Sequence, residues 1–310
     1  MPIVAIVGAG LIGRSWAVVF ACGGWEVRLT DPSADALAAA PTLIRQALDE
    51  LAAWKLVDDA AGTAARVSVA RSLAEAVAGA DFVQENGPEI LEAKREIFAA
   101  LDAAAPPHAI LASSTSAIVA SKFTEDLKGR ARCLVAHPVN PPHLVPIVEL
   151  CGAPWTDSKV VAKAREIYES IGQAPVTVNR EIEGFILNRL QTALLAEAFR
   201  LVGDGVVSPA DLDRTLADGL GLRWSFIGPF QTIELNAPAG IADYCARYGP
   251  FFRRYMADLP DASVWDEANI ERVLAAWGGS PTRDEIAARS EWRDRRLTAL
   301  KAHKRSQPNA

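Results

Sequence analysis

An α/β fold, with a mostly parallel sheet domain followed by an all-α domain, is what the 310-residue sequence predicts. Three observations predict it. Short apolar runs alternate with helical patterns through the first half of the chain, as βαβ units require. A glycine-rich turn joins the first such run to the first helix. Beyond about Glu181 no strand pattern recurs, and apolar residues fall at helical spacing.

The elements justify this in order. Ile3-Val4-Ala5-Ile6-Val7 reads as a strand, Leu11 to Cys22 as a helix stopped by Gly23-Gly24, and Glu26 to Asp31 as a second strand. Ala34 to Val57 is Ala/Leu-rich and helical. Val67 to Ala70 and Asp81 to Glu85 are further strands, with a helix over Leu73 to Ala78 between them. A helix is expected over Pro88 to Ala105, then strands at Ala109–Ser113, Arg132–Ala136, Val148–Leu150 and Ala174–Val178, with a helix over Ser158 to Ile171. Leu187 to Val202 is an amphipathic helix, and Ser208-Pro209 starts another by capping and by a first-turn proline. The domains are expected at 1–182 and 183–310. The basic tail from Lys301 is expected to fray or lie on the surface.

Composition narrows the function. Lys and Arg number 32 against 38 Asp and Glu, a net charge of −6, so no basic excess exists to neutralise nucleic-acid phosphates. Apolar runs break well short of the roughly 18 residues of a membrane span. The N-terminus runs straight into a strand without a basic leader, so no secretory signal is expected. Cys22, Cys133, Cys151 and Cys245 have neither metal-ligand nor disulfide-framework spacing, and read as small buried hydrophobes in a cytoplasmic protein.

Gly8-Ala9-Gly10-Leu11-Ile12-Gly13 follows a strand and opens a helix, and Asp31 lies 18 residues after Gly13, at the end of the next strand. That context is the dinucleotide fingerprint of a Rossmann-like domain. Gly8 permits the turn, Gly10 lets backbone approach a pyrophosphate, and Gly13 allows close helix–strand packing. The helix N-terminus offers unpaired N–H groups to phosphates. Asp31 is suited to ribose hydroxyls and repels a 2′-phosphate, so NAD is expected rather than NADP.

Of the four histidines, His137 ends an apolar strand, where catalytic groups of parallel sheets collect, and its imidazole suits an alcohol proton. Glu149 lies in the apolar stretch Leu144 to Leu150; it is either a partner for His137 or a solvated strand-edge acid. A metal site from His137, His143 and Glu149 matches no ligand spacing. Ser113-Ser114-Thr115-Ser116 follows another strand and is either a hydroxyl-bearing site or a turn that caps the next helix. Asn188 opens the long helix, as a site residue or a satisfied core amide.

The glycine motif, Ser-Ser-Thr-Ser, His-Pro-Val-Asn-Pro, Val-Glu-Leu and Gly-Phe-Ile-Leu-Asn-Arg-Leu occur in this order. The set resembles the 3-hydroxyacyl-CoA dehydrogenase superfamily and, within it, the L-gulonate 3-dehydrogenase or lambda-crystallin family. The likeness extends through Ser208 to Asp213, Gly219 to Arg223, Phe226 to Pro229 and Glu291 to Asp294. It implies NAD-dependent oxidation of a small 3-hydroxy acid, L-gulonate to 3-dehydro-L-gulonate, by hydride transfer. It implies His137 as base, Glu149 as its partner, and Ser116 and Asn188 on the substrate oxygen. It places Leu11, Ile12, Ser114, Asn140, Glu89 and Lys94 with the glycines and Asp31 at the cofactor, the last two near the nicotinamide ribose. It also implies a homodimer through the helical domain.

Ser114 and Pro138-Val139 depart from the Ser-Asn-Thr-Ser and His-Phe-Phe-Asn-Pro of the acyl-CoA enzymes, which weakens a CoA substrate. Arg223 stands where those enzymes have an uncharged segment, and is expected either to clamp a free carboxylate or to pair with an acid such as Asp218. Acyl-CoA or carnitine dehydrogenation, and a non-catalytic, crystallin-like NAD-binding protein, are the alternatives.

Overall fold

The computed structural model describes residues 1–307. The chain forms two compact units, Met1–Asn188 with the C-terminal stretch from Ala287, and Arg189–Ile286. The expected boundary at 182/183 assigned all of the C-terminal residues to the helical part. In the structure the described part of the stretch from Ala287 clusters with Met1–Asn188.

The first unit is built on one eight-stranded sheet ordered β3-β2-β1-β4-β5-β6-β7-β8. The strands are β1 (Ile3–Val7), β2 (Glu26–Thr30), β3 (Val67–Val69), β4 (Phe82–Glu85), β5 (Ile110–Ser113), β6 (Cys133–Pro138), β7 (Ile147–Gly152) and β8 (Ala174–Thr177). Every pairing is parallel except β6 with β7, which is antiparallel. The sheet is apolar on both faces, as helix-covered sheets are.

Side-chain alternation sorts the core into two layers. Val4, Ile6, Phe82, Ile110, Ala112, Leu134, Ala136, Val148 and Leu150 face Trp16, Phe20 and Tyr168. Ala5, Val7, Val83, Leu111, Cys133, Val135 and Cys151 face Val77, Phe98, Leu101 and Phe185. The helices of this part are α1 (Leu11–Cys22), α2 (Ala34–Ala53), α3 (Ala60–Ala64), α4 (Leu73–Val77), α5 (Leu91–Ala104), α6 (Ser121–Thr124) and α7 (Ser158–Ser170).

Three differences from the sequence reading have local causes. α2 ends at Ala53, and Lys55 turns out at φ +57°. α5 starts at Leu91 because Ile90 is extended. β6 runs through His137 to Pro138, so the histidine lies within the strand, not past its end.

The helical part contains α8 (Leu187–Gly203), α9 (Pro209–Thr215), a π turn at Leu216–Leu220, α10 (Gly221–Trp224), α11 (Pro229–Glu234), α12 (Gly240–Met256) and α13 (Glu267–Trp277). Ser208 caps α9 through Asp211 N, with Pro209 in the first turn, as its sequence requires. Within the second unit Phe199 stacks on Trp265 and Asn269 donates to Val264 O.

The last helix, α14 (Arg283–Ser306), shows that the tail is helical rather than frayed through Ser306, and residues 303–307 are exposed, as the surface alternative expects. Thr298 is buried, Lys301 Nζ donates to His143 O at 2.6 Å, and Arg305 Nη1 donates to Leu56 O at 3.0 Å. The rest of that expectation, residues 308–310, lies outside the described residues. Among the described residues no helix is long and apolar enough to cross a membrane.

Candidate active site

The glycine turn separates into two kinds of position. Gly8, at φ +102°, adopts a backbone that L side chains avoid, and a Cβ there would lie 2.7 Å from Asn86 O. At Gly13 a Cβ would lie 1.8 Å from Gly8 O, so the α1–turn contact demands glycine. Gly10 is different: a Cβ there meets nothing within 4 Å. Packing within the chain does not require that glycine, whereas close approach of a pyrophosphate does. Gly10 is also the N-cap of α1 and gives it no side-chain cap, so the first-turn N–H groups remain for an anion. Leu11 is exposed beside them and Ile12 half-buried.

Asp31 directly follows β2 and braces the turn. Its Oδ2 accepts Ala9 N at 2.6 Å and its Oδ1 accepts Ser33 N at 2.7 Å. It also lines a cavity of about 390 Å³ with Val7, Leu73 and Ile97, a wall fit for a planar apolar group beside a ribose. The residues therefore fit a dinucleotide.

Ser114 sits at the carboxyl end of β5, and its hydroxyl is saturated. It accepts from Trp16 Nε1 at 3.0 Å and Gln84 Nε2 at 2.7 Å, and donates to Asn86 Oδ1 at 2.7 Å. Tyr168 OH donates to Gln84 Oε1, and burial holds that phenol well above its ordinary range. Asn86 N donates to Val7 O at 2.7 Å, which ties this chain of bonds to the strand under the turn. Ser114 thus links α1, β4 and β5.

Glu89 and Lys94 do not bond one another. Glu89 Oε1 accepts Ser116 N and Ala117 N, both at 3.1 Å, and the Thr115 hydroxyl, so it folds the Ser-Ser-Thr-Ser turn. Lys94 Nζ reaches under α5 to both oxygens of Glu85, at 2.8 and 2.9 Å, and the pair is almost wholly buried. Ser113 Oγ donates to Glu85 Oε2 at 2.6 Å. Removing one partner of such a pair costs about 3–5 kcal/mol, because the other is left charged and buried. Sequence reasoning missed Glu85; the signal was Gln84-Glu85-Asn86, three polar residues closing a strand.

His137 and Glu149 are directly opposed in the antiparallel β6–β7 register. Alternation sends both to the face occupied by Phe185, and opposed residues are close enough for their side chains to meet. His137 Nδ1 lies 2.8 Å from Glu149 Oε2, with both residues buried. Glu149 is therefore not a solvated edge acid, since β7 is flanked by β6 and β8. Its Oε1 accepts Ile186 N at 2.8 Å and Leu187 N at 3.0 Å, the entry to α8. A carboxylate at a helix N-terminus is favoured by the exposed N–H dipoles.

Asn188, in the first turn of α8, donates from Nδ2 to Ser116 O at 2.7 Å. It is thus not a core amide, and it brings the Ser116 turn to the same helix end. Ser116 is exposed, and its hydroxyl has no partner among the described residues. Asn140 is exposed in the loop after β6. His143 lies apart from the pair, with Nδ1 3.2 Å from Ser15 Oγ; burial, with Lys301 nearby, lowers it to about 4. Among the described residues no group of three or more His, Cys, Asp and Glu is placed to hold a metal. Arg223 belongs to the second unit, is exposed, and makes no ion pair with Asp218 or any other described acid. Cys133 and Cys151 are buried, whereas Cys22 and Cys245 are exposed, against the expectation for those two.

Comparison with known proteins shows the family. Residues 3–182 match the NAD binding domain of 3-hydroxyacyl-CoA dehydrogenase, and residues 184–274 match its C-terminal domain. The chain is 42% identical over 307 residues to lambda-crystallin of Oryctolagus cuniculus, covering 97% of this chain and 96% of that protein. It is 37% identical to L-carnitine dehydrogenase of Pseudomonas aeruginosa, covering 96% and 92%. Among solved structures, the 5-formyl-3-hydroxy-2-methylpyridine 4-carboxylic acid 5-dehydrogenase, an NAD+-dependent dismutase, superimposes with a TM-score of 0.87 at 28% identity, covering 99% of this chain and all of that one. With a glycine turn shaped for a dinucleotide and these matches along its length, the chain belongs to the 3-hydroxyacyl-CoA dehydrogenase family, in its lambda-crystallin group, and is an NAD-dependent hydroxy acid dehydrogenase.

Proposed function

We propose that the protein oxidises a free 3-hydroxy acid, L-gulonate to 3-dehydro-L-gulonate, with His137 as general base and Glu149 as its partner. The observation that carries this reading is the 2.8 Å contact between His137 Nδ1 and Glu149 Oε2 across β6 and β7. With its Nδ1 proton donated to the carboxylate, the imidazole presents an unprotonated Nε2, the atom that takes the hydroxyl proton. Glu149 balances the imidazolium that results, while the Ile186 and Leu187 N–H groups hold its other oxygen. The Ser116 hydroxyl and the remaining Asn188 N–H orient the substrate oxygen. Bound at the glycine turn, NAD supplies the two-electron acceptor for the carbinol carbon. Gly8, Gly10, Leu11, Ile12, Gly13 and Asp31 would hold it, and Asn140 and the Glu89 turn would lie toward its nicotinamide.

Arg223, whose guanidinium makes no ion pair among the described residues, is the candidate clamp for the substrate carboxylate, which an acyl-CoA lacks. The protein assembles as a homodimer through the helical unit, where Phe226, Phe230 and Leu235 are each more than two-thirds exposed. Light scattering of the purified protein tests this, and a monomer at micromolar concentration refutes it. The substrate is tested by NADH formation with L-gulonate, L-carnitine and a short 3-hydroxyacyl-CoA under identical conditions. L-gulonate is expected to give the highest kcat/KM. Preference for carnitine or the thioester overturns the substrate, and NADH binding without turnover on any of the three supports the crystallin-like alternative.

A further inference from the structure

The turn that enters α8 has two consecutive residues in the left-handed region, Gly184 at φ +76° and Phe185 at φ +48°. Glycine adopts this freely. A phenylalanine there is strained, and such strain persists only where surrounding structure imposes it, often at functional sites. Phe185 is fully buried, and its ring lies 5.5 Å from the His137 imidazole, centroid to centroid, tilted by 36°. Its own N–H donates to Ile182 O at 3.1 Å. The next two N–H groups, of Ile186 and Leu187, both land on Glu149 Oε1, and the following side chain, Asn188, bonds the Ser116 carbonyl. Phe185, Ile186, Leu187 and Asn188 thus contact His137, Glu149 and the Ser116 turn.

We propose that Phe185 is a positioning residue for the oxidation. Its left-handed backbone aims two N–H groups at Glu149, and its ring packs against the imidazole. The plane of His137 and the carboxylate it faces are thereby set before substrate arrives. This rests on the reading of His137 as the base. The backbone and the ring have separable contributions, because Phe185→Gly keeps the left-handed turn and removes only the ring.

The experiment combines kinetics, NADH fluorescence titration and proton NMR. The His137 Nδ1 proton, bonded to Glu149, is expected as a downfield resonance identified by its absence in His137→Gln. In Phe185→Gly it should broaden by exchange, and kcat should fall by roughly 10–100-fold, the scale of a small misplacement of a reacting group. The NADH dissociation constant should stay within about twofold, since the glycine turn is untouched. Phe185→Leu, which keeps apolar volume against the imidazole, should recover most of the loss in kcat. If the glycine variant does not fold, Phe185→Leu decides alone, with a fall in kcat of about three- to tenfold at unchanged NADH affinity. A sharp resonance with unchanged kcat overturns the proposal, as does a parallel loss of NADH affinity. Turnover by His137→Gln overturns the base assignment instead, and the resonance in Phe185→Gly still decides the positioning.

Discussion

Replacing Glu149 by Gln separates the shape of the carboxylate from its acceptor pattern. Oε1 accepts two N–H groups, from Ile186 at 2.8 Å and Leu187 at 3.0 Å, and Oε2 faces His137 Nδ1 at 2.8 Å. Glutamine has one accepting and one donating end. Turning its NH2 toward the two backbone donors leaves both unsatisfied, at about 1–3 kcal/mol each. The carbonyl end therefore keeps Ile186 and Leu187, and the NH2 meets Nδ1. His137 must then accept at Nδ1 and carry its proton on Nε2, the nitrogen that has to receive the substrate proton. The ring is in place but in the wrong tautomer, and kcat is expected to fall by about 10²–10⁴. NADH affinity should be unchanged, because Glu149 bonds nothing in the glycine turn. Steady-state kinetics at saturating NAD, with a fluorescence titration of NADH, measure both. A variant with more than about a tenth of the kcat would show that tautomer control by Glu149 contributes little. A parallel loss of NADH binding would show that the substitution disturbs the fold rather than the base.

Asp31 should make NADP a poor cofactor, with kcat/KM at roughly a hundredth of that for NAD or less, since a 2′-phosphate would face a carboxylate; equal efficiency refutes its place at the ribose. Gly13→Ala puts a Cβ 1.8 Å from Gly8 O and should abolish NADH binding in a titration; normal affinity would mean that the turn moves freely. Arg223→Met should raise KM for L-gulonate by about tenfold and leave the methyl ester unaffected, the loss of one charge-assisted contact; an equal effect on both returns Arg223 to a surface role. His143 is held at about 4 by burial and by Lys301, against an ordinary 6.5. Its folded value is the lower one, so the unfolded chain takes the proton first and stability is lost as pH falls from 6.5 toward 4. The loss is up to roughly 3 kcal/mol. Denaturant melts across that window should show a shallower fall for His143→Gln, and identical slopes would contradict this.

Elements built from near neighbours are legible in the chain itself. The alternation Val4-Ala5-Ile6-Val7 already divides the two core layers, because successive side chains of a strand must point to opposite faces. Gly8, Gly13 and Asp31 are legible for the same reason, their roles following from spacing within one βαβ unit. The site beyond that turn is not local. Whether Glu149 is an edge acid or faces His137 depends on β7 returning antiparallel to β6, a register set by burial of Val148 and Leu150 against distant Trp16 and Tyr168. Lys94 meets Glu85, not Glu89, because α5 starts three residues later than its proline suggests and its first turn lies over the end of β4. Lys301 reads as a charge in a basic tail until the fold supplies a carbonyl 158 residues away. Spacing along the chain determines what each segment can become, and only the packing of segments far apart in sequence decides which polar groups meet away from water.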